Sequence, residues 1–139
     1  MAHFAHHLMS GVLVPLLPFI RNSFGLDYTQ AGMVTSAFQL PSGVSQVPAG
    51  WLADRIGARI LVTVGIAGVG VAALLVGLSQ TYVMLIVFLA LMGVLSGGYH
   101  PASPPLIAAS VAPEKRGRAL GIHVIGGSGS LFVAPLIAA

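Results

Sequence analysis

The side chains able to carry chemistry in this sequence are few and unevenly placed. Five histidines, His3, His6, His7, His100 and His123, are the only side chains that ordinarily titrate near neutral pH, and there is no cysteine. His3, His6 and His7 share one helical face by their i, i+3, i+4 spacing, so three imidazoles could approach one metal ion. A zinc site, however, usually draws ligands from more than one element and orients them with nearby carboxylates. No carboxylate is near in sequence, so the face reads as a helix end, with His7 a candidate pathway residue. No metal and no cofactor are expected. The pattern H-E-x-x-H is missing and no Glu lies in an apolar run to act as a general base, which argues against a membrane-embedded metalloenzyme.

A second concentration of chemistry is GWLADRIGAR, residues 50–59, with Asp54, Arg55 and Arg59 set around Gly50 and Gly57. Glycines permit sharp turning and close backbone approach. An acid at the end of a helix is disfavoured by the macrodipole, so Asp54 should be stabilised by a neighbouring arginine or by the N-terminal end of another helix.

The elements that position these residues follow from composition. Charged residues are 6% and hydrophobic ones 56%, with a mean hydropathy of +0.95; soluble domains carry about 25% charged residues. Charge-free runs cover residues 1–20, 28–53, 60–113 and 119–139. A helical crossing takes roughly 20 apolar residues, so the third run must fold back, at Ser79-Gln80-Thr81. Five spans are expected, at about 3–22, 28–53, 59–79, 82–108 and 119–139, within a single partial transmembrane domain over 1–139. The pI near 10 reflects topology and not a nucleic-acid partner. Arg55, Arg59, Lys115, Arg116 and Arg118 fall in two connections on one side, which the positive-inside rule places in the cytoplasm with the N-terminus. Tyr28 and Tyr82 fall at the outer interface and Trp51 at the inner one. The first span lacks a basic n-region and is read as a retained helix.

Residues 10–18, SGVLVPLLP, and 96–104, SGGYHPASP, share the pattern S-G-x-x-x-P-x-x-P. Pro15 and Pro18 thus correspond to Pro101 and Pro104, as helix-kink positions three crossings apart. Inverted repeats with Gly/Pro-interrupted helices point to the central pathway of a secondary transporter. His100 precedes Pro101 and either meets substrate or a coupling proton, or bonds a freed carbonyl. His123, Gln39 and Gln46 are polar groups in apolar helices, serving as interhelical hydrogen-bond partners or cavity contacts. Gly93-x-x-x-Gly97 and Gly117-x-x-x-Gly121 fit close helix packing within the bundle.

These residues resemble a known family. Gly50, Leu52, Ala53, Asp54, Arg55, Gly57 and Arg59 match the signature of the loop between spans 2 and 3 in the major facilitator superfamily, with Ala58 in place of a basic residue. FGLDYTQAG, FQLPSGVSQVPAGWLADR and YHPASPPLIA are similar to the branch of fosmidomycin-resistance and drug-efflux proteins. GIHVIGGSGSLFVAPLIAA is similar to the Gly-rich span 5 of antiporters, with Ala134 where a Gly is usual. Leu89 stands where the family's span-4 arginine is expected, and His3-Phe4-Ala5-His6-His7 replaces the branch's His-x-x-Asn-Asp. The resemblance implies an all-α polytopic bundle: the first five helices of an N-terminal half with 3+3 inverted-repeat character, in a protein of about twelve spans. It implies a secondary transporter working by alternating access in the plasma (inner) membrane, with Asp54 and its arginines as a cytoplasmic latch between two halves. Proton-coupled efflux of a drug-like molecule or metabolite is the leading expectation. Uptake symport and a non-transporting receptor or scaffold are the alternatives. The expected partners are lipid, a small-molecule substrate, a proton as coupling ion and the missing C-terminal half, the chain being read as a fragment.

Overall fold

The structure is a computed structural model that describes residues 1–138, and every regular element among them is helical. Seven α-helices run in chain order: α1 (Ala2–Gly11), α2 (Leu13–Phe24), α3 (Tyr28–Ile56), α4 (Ala58–Gly77), α5 (Tyr82–Ser96), α6 (Tyr99–Ala109) and α7 (Arg116–Ala138). A 3₁₀ turn, Pro113–Lys115, leads into the last. The pairs α1–α2 and α5–α6 each make one broken rod, so seven helices give five candidate crossings.

Both breaks have the same cause. Proline lacks an N–H, and its ring crowds the carbonyl four residues earlier. For Pro15 that carbonyl belongs to Gly11, the last residue of α1; for Pro101 it belongs to Gly97, the cap of α5. Pro15 is the third residue of α2 and Pro101 the third of α6, and Pro18 and Pro104 are the sixth of each. The two S-G-x-x-x-P-x-x-P segments therefore interrupt their helices at equivalent residues. Pro18 and Pro104 lie inside helices that continue through them.

Four of the rods are long and apolar enough to cross a membrane: Ala2–Phe24, Ala58–Gly77, Tyr82–Ala109 and Pro113–Ala138. The fifth, α3, has 29 residues, about 44 Å at 1.5 Å per residue, but is more polar. Much of the polarity lies on one stripe: Thr35, Gln39, Ser42 and Gln46, at helical spacing, line a cavity. A helix that faces such a cavity need not be apolar all round.

The connections are short. Gly57 alone separates α3 from α4, at φ +92° and ψ 137°, a conformation open to glycine and strained for other residues. The expected loop over 54–58 is thus largely helix, and Asp54 sits in the last turn of α3. At the opposite end Gly25 closes α2 at φ +63°. Asp27 then caps α3: its carboxylate accepts from the Gln30 N–H at 2.7 Å, while the Gln30 side chain accepts from the Asp27 N–H at 3.0 Å. The turn at 79–81 falls where expected, and the Thr81 hydroxyl accepts from the Met84 N–H. Tyr82 donates to the Gln30 carbonyl at 3.4 Å, placing the two expected outer-end segments side by side.

The apolar core gathers Leu13, Val34, Phe38, Val69, Ala72, Leu85, Leu89 and Met92. Its centre is α5, which packs against both α3 and α4. Glycines permit the approach. A methyl group on Gly93 would meet the Phe38 carbonyl, and one on Gly97 would meet the Ser45 hydroxyl and the Ser42 carbonyl. Gly117 and Gly121 behave otherwise: a methyl on either meets nothing within 4 Å, so this pair packs no helix among the described residues. Outside the core, Val44, Val47, Phe132 and Leu136 are each more than 70% exposed. An apolar surface of this extent is unsuited to water and suited to hydrocarbon.

Candidate functional site

The polar stripe of α3 faces the break between α1 and α2 and the break between α5 and α6. Between them lies an open cavity of about 290 Å³, lined by His7, His100, Gln39, Gln46 and Ser42 among others. Four of the five residues singled out in the sequence as pathway candidates thus share one space. His123 lies elsewhere, lining a second cavity of about 340 Å³ with His3, Tyr99 and Ser103. Met1, Ala2, Val62, Ile107 and Ala119 are among its other lining residues. The N-terminus, the start of α4, the end of α6 and the start of α7 therefore share one end of the bundle. Both basic connections lie at this end, as the charge pattern implied. There Arg116 donates from Nε to the Ala108 carbonyl at 2.9 Å, satisfying a free carbonyl at the end of α6.

Between the two cavities all five histidines come together, a grouping that no local pattern announces. His3 stacks on His123 with ring centroids 3.9 Å apart and planes within 5°. His7 stands edge-on to His3 at 4.6 Å, and His100 lies 5.1 Å from His7 and from His6. Tyr99 forms the floor, 4.5 Å from the buried His6 ring. The imidazole at the span-4 break belongs to His6: its Nε2 lies 3.3 Å from the Ser96 carbonyl and 3.0 Å from the Ser96 hydroxyl. His3 is held from the other side, Nδ1 donating to the His123 carbonyl at 2.6 Å. Its ring rests where a side chain on Gly127 would stand.

The loop motif is built separately. Asp54 and Arg59 are exposed, and Arg55 lays its guanidinium 3.7 Å from the centroid of the Trp51 ring. A methyl on Gly50 would lie 3.7 Å from Pro101 Cβ, so the start of the motif packs beside the broken part of span 4.

The Major Facilitator Superfamily model matches residues 1–139. The chain belongs to this superfamily. It is similar to the probable sulfoacetate transporter SauU of Cupriavidus necator, 31% identical over 86% of this chain and 28% of that protein. It is similar to the multidrug resistance protein MdtG of Yersinia enterocolitica, 33% identical over 91% of this chain and 31% of the relative. The fosmidomycin resistance protein of Escherichia coli is 25% identical over the whole chain and 34% of its own length. The chain thus spans about a third of the length of these relatives. It is an integral membrane protein of a transporter superfamily. Within that family setting, Leu89 is 1% exposed and packed into the apolar core, so a side chain without charge completes the packing where the family resemblance led one to expect an arginine.

Sequence reasoning missed Tyr99, Ser96 and Gly127 as parts of the histidine site. Ser96 stood in the repeat as a backbone signal, and Gly127 lay in a Gly-rich run with nothing to single it out. Their roles depend on contacts across the bundle, with His3 and His123 separated by 120 residues.

Proposed function

We propose that this chain supplies the N-terminal crossings of a secondary transporter that exports a drug-like molecule or small metabolite in exchange for protons. The observation that carries the reading is the cavity between the two proline breaks, where His7, His100, Gln39 and Gln46 converge. Alternating access binds substrate near the midplane, between discontinuous helices, and polar groups at that depth mark pathways. His100 and His7 serve as substrate or proton contacts, and Gln39 and Gln46 as hydrogen-bonding partners for the cargo. His123, behind His3, is a candidate proton stop on the route between the two cavities. Pro15, Pro18, Pro101 and Pro104 shape the broken rods. Gly50, Asp54, Arg55, Gly57 and Arg59 form the latch, closing the cytoplasmic end against a second half. The N-terminus then lies in the cytoplasm, and the membrane is the plasma membrane.

The names of the multidrug and fosmidomycin resistance relatives favour a drug-like cargo for export, whereas that of the sulfoacetate transporter favours a small organic anion as cargo, the second reading being its uptake. Everted membrane vesicles carrying the transporter that contains this chain, energised with an acidic interior, separate the readings. Addition of a fosmidomycin-type drug should discharge the proton gradient, and His100→Ala should abolish the discharge. Proton-linked entry of an organic acid into right-side-out vesicles, with no effect in everted ones, would establish uptake instead. Substrate binding without flux in either orientation would mark a receptor.

A further inference from the structure

We infer that His3, His7 and His100 form a binding site for a divalent first-row transition-metal ion of the zinc class. One ligand atom from each of the three imidazoles lies within 4.8 Å of the other two. In a tetrahedral site with Zn–N near 2.0–2.1 Å, ligand nitrogens are about 3.3 Å apart. The observed spacing exceeds that separation by no more than about 1.5 Å, which the His7 and His100 side chains, lining an open cavity, would close toward the fixed His3 ring. His3 and His7 come from α1 and His100 from α6, so two elements clamp the ion, which the sequence spacing alone did not offer.

The surroundings are those of a ligand site. A carbonyl only accepts, so the 2.6 Å contact between His3 Nδ1 and the His123 carbonyl fixes the proton on Nδ1 and leaves Nε2 its lone pair. A backbone carbonyl in this position orients metal-binding histidines much as a carboxylate does. Close by, His6 points Nε2 at Ser96, and its Nδ1 is buried without a hydrogen-bond partner, a further unpaired nitrogen in the same cluster. His7 and His100 line the 290 Å³ cavity. Three protein nitrogens leave the fourth position open to that cavity, for water or for an anionic group of a cargo molecule. Imidazole donors without thiolate or carboxylate suit zinc, copper, nickel or cobalt and disfavour magnesium or calcium.

The test is metal binding by the 139-residue chain itself, carrying a tag without histidine, in lipid nanodiscs after chelator treatment. Zinc titrated against a chromophoric chelator should bind at one ion per chain, and cobalt should show the visible absorption of a tetrahedral site. His3→Ala, His7→Ala and His100→Ala should each weaken zinc at least tenfold with the helical circular dichroism unchanged. His100→Asn serves as the second variant should His100→Ala lose its helical signal. Gly127→Ala removes no ligand but crowds the His3 ring, and should weaken zinc as well. Absence of stoichiometric zinc on the wild-type chain would overturn the proposal, as would equal affinity in the folded His100 variants. Either result is independent of whether the transporter exports or imports.

Discussion

At the scale of single residues, glycine does opposite things at different places in this chain. On α5, Gly93 has the Phe38 carbonyl where a side chain would stand, with Pro41 Cβ 3.2 Å from the same point. A carbonyl of a neighbouring helix cannot yield without moving that helix, and overpacking of this kind costs about 1–3 kcal/mol. Glycine inside a helix is itself less favourable than alanine by about 0.5–1 kcal/mol. Gly93→Ala should therefore destabilise by about 1–2 kcal/mol net, whereas Gly121→Ala, with nothing within 4 Å, should be neutral or stabilising. Unfolding in mixed micelles, followed by helical circular dichroism, gives both signs. Stabilisation by Gly93→Ala would mean that α3 and α5 do not approach this closely. The contrast also shows what the sequence could tell. Both pairs have the same four-residue spacing, and only the partner helix decides which is used. The loop motif was legible because its meaning is local: Gly57 turns the chain and Asp54 ends a helix. The five-histidine cluster was not legible, since it unites residues from α1, α6 and α7.

At the scale of elements, the proline repeat was readable because proline acts on its own helix, four residues back. Less readable was α3. Its mean polarity made it the weakest crossing by composition, and only the fold shows that Thr35, Gln39, Ser42 and Gln46 face one cavity. This makes a labelling prediction free of background, because the chain has no cysteine. Single cysteines replacing Thr35, Gln39, Ser42 and Gln46 face the cavity and should react with a membrane-impermeant maleimide. Cysteines replacing Met33, Leu40, Val44 and Val47, exposed on the outer surface of the bundle, should be shielded by lipid and react at least tenfold more slowly. Reactivity with helical period places α3 across the bilayer with a wet side. Uniform reactivity along the helix would put it in water and reduce the crossings to four.

At the scale of the whole molecule, the proposed latch is the exposed group of Asp54, Arg55 and Arg59. Asp54 occupies the last turn of α3, where the helix dipole disfavours a negative charge, and Arg55 is engaged with Trp51. In the proposed transporter, a carboxylate at such a position would gain from an arginine or a helix N-terminus of the second half. Under the proposed function, that contact would form only when the cytoplasmic ends of the two halves meet, and would stabilise the outward-facing state. An exposed ion pair contributes about 0–1 kcal/mol, and a helix-terminus contact about 0.3–1, rising to about 2 when partly buried. Since 1.4 kcal/mol is a factor of ten in population, loss of the charge shifts the conformational balance severalfold and leaves folding intact. Asp54→Asn preserves volume and removes only the charge. In the transporter that contains this chain it should be made at normal levels, transport much more slowly and expose a cysteine in the cytoplasmic vestibule to faster labelling. Restoration of transport by a compensating charge change in the second half would identify the partner. Normal transport with unchanged labelling would reduce Asp54 to part of a turn, leaving Arg55 and Arg59 as anchors of topology alone.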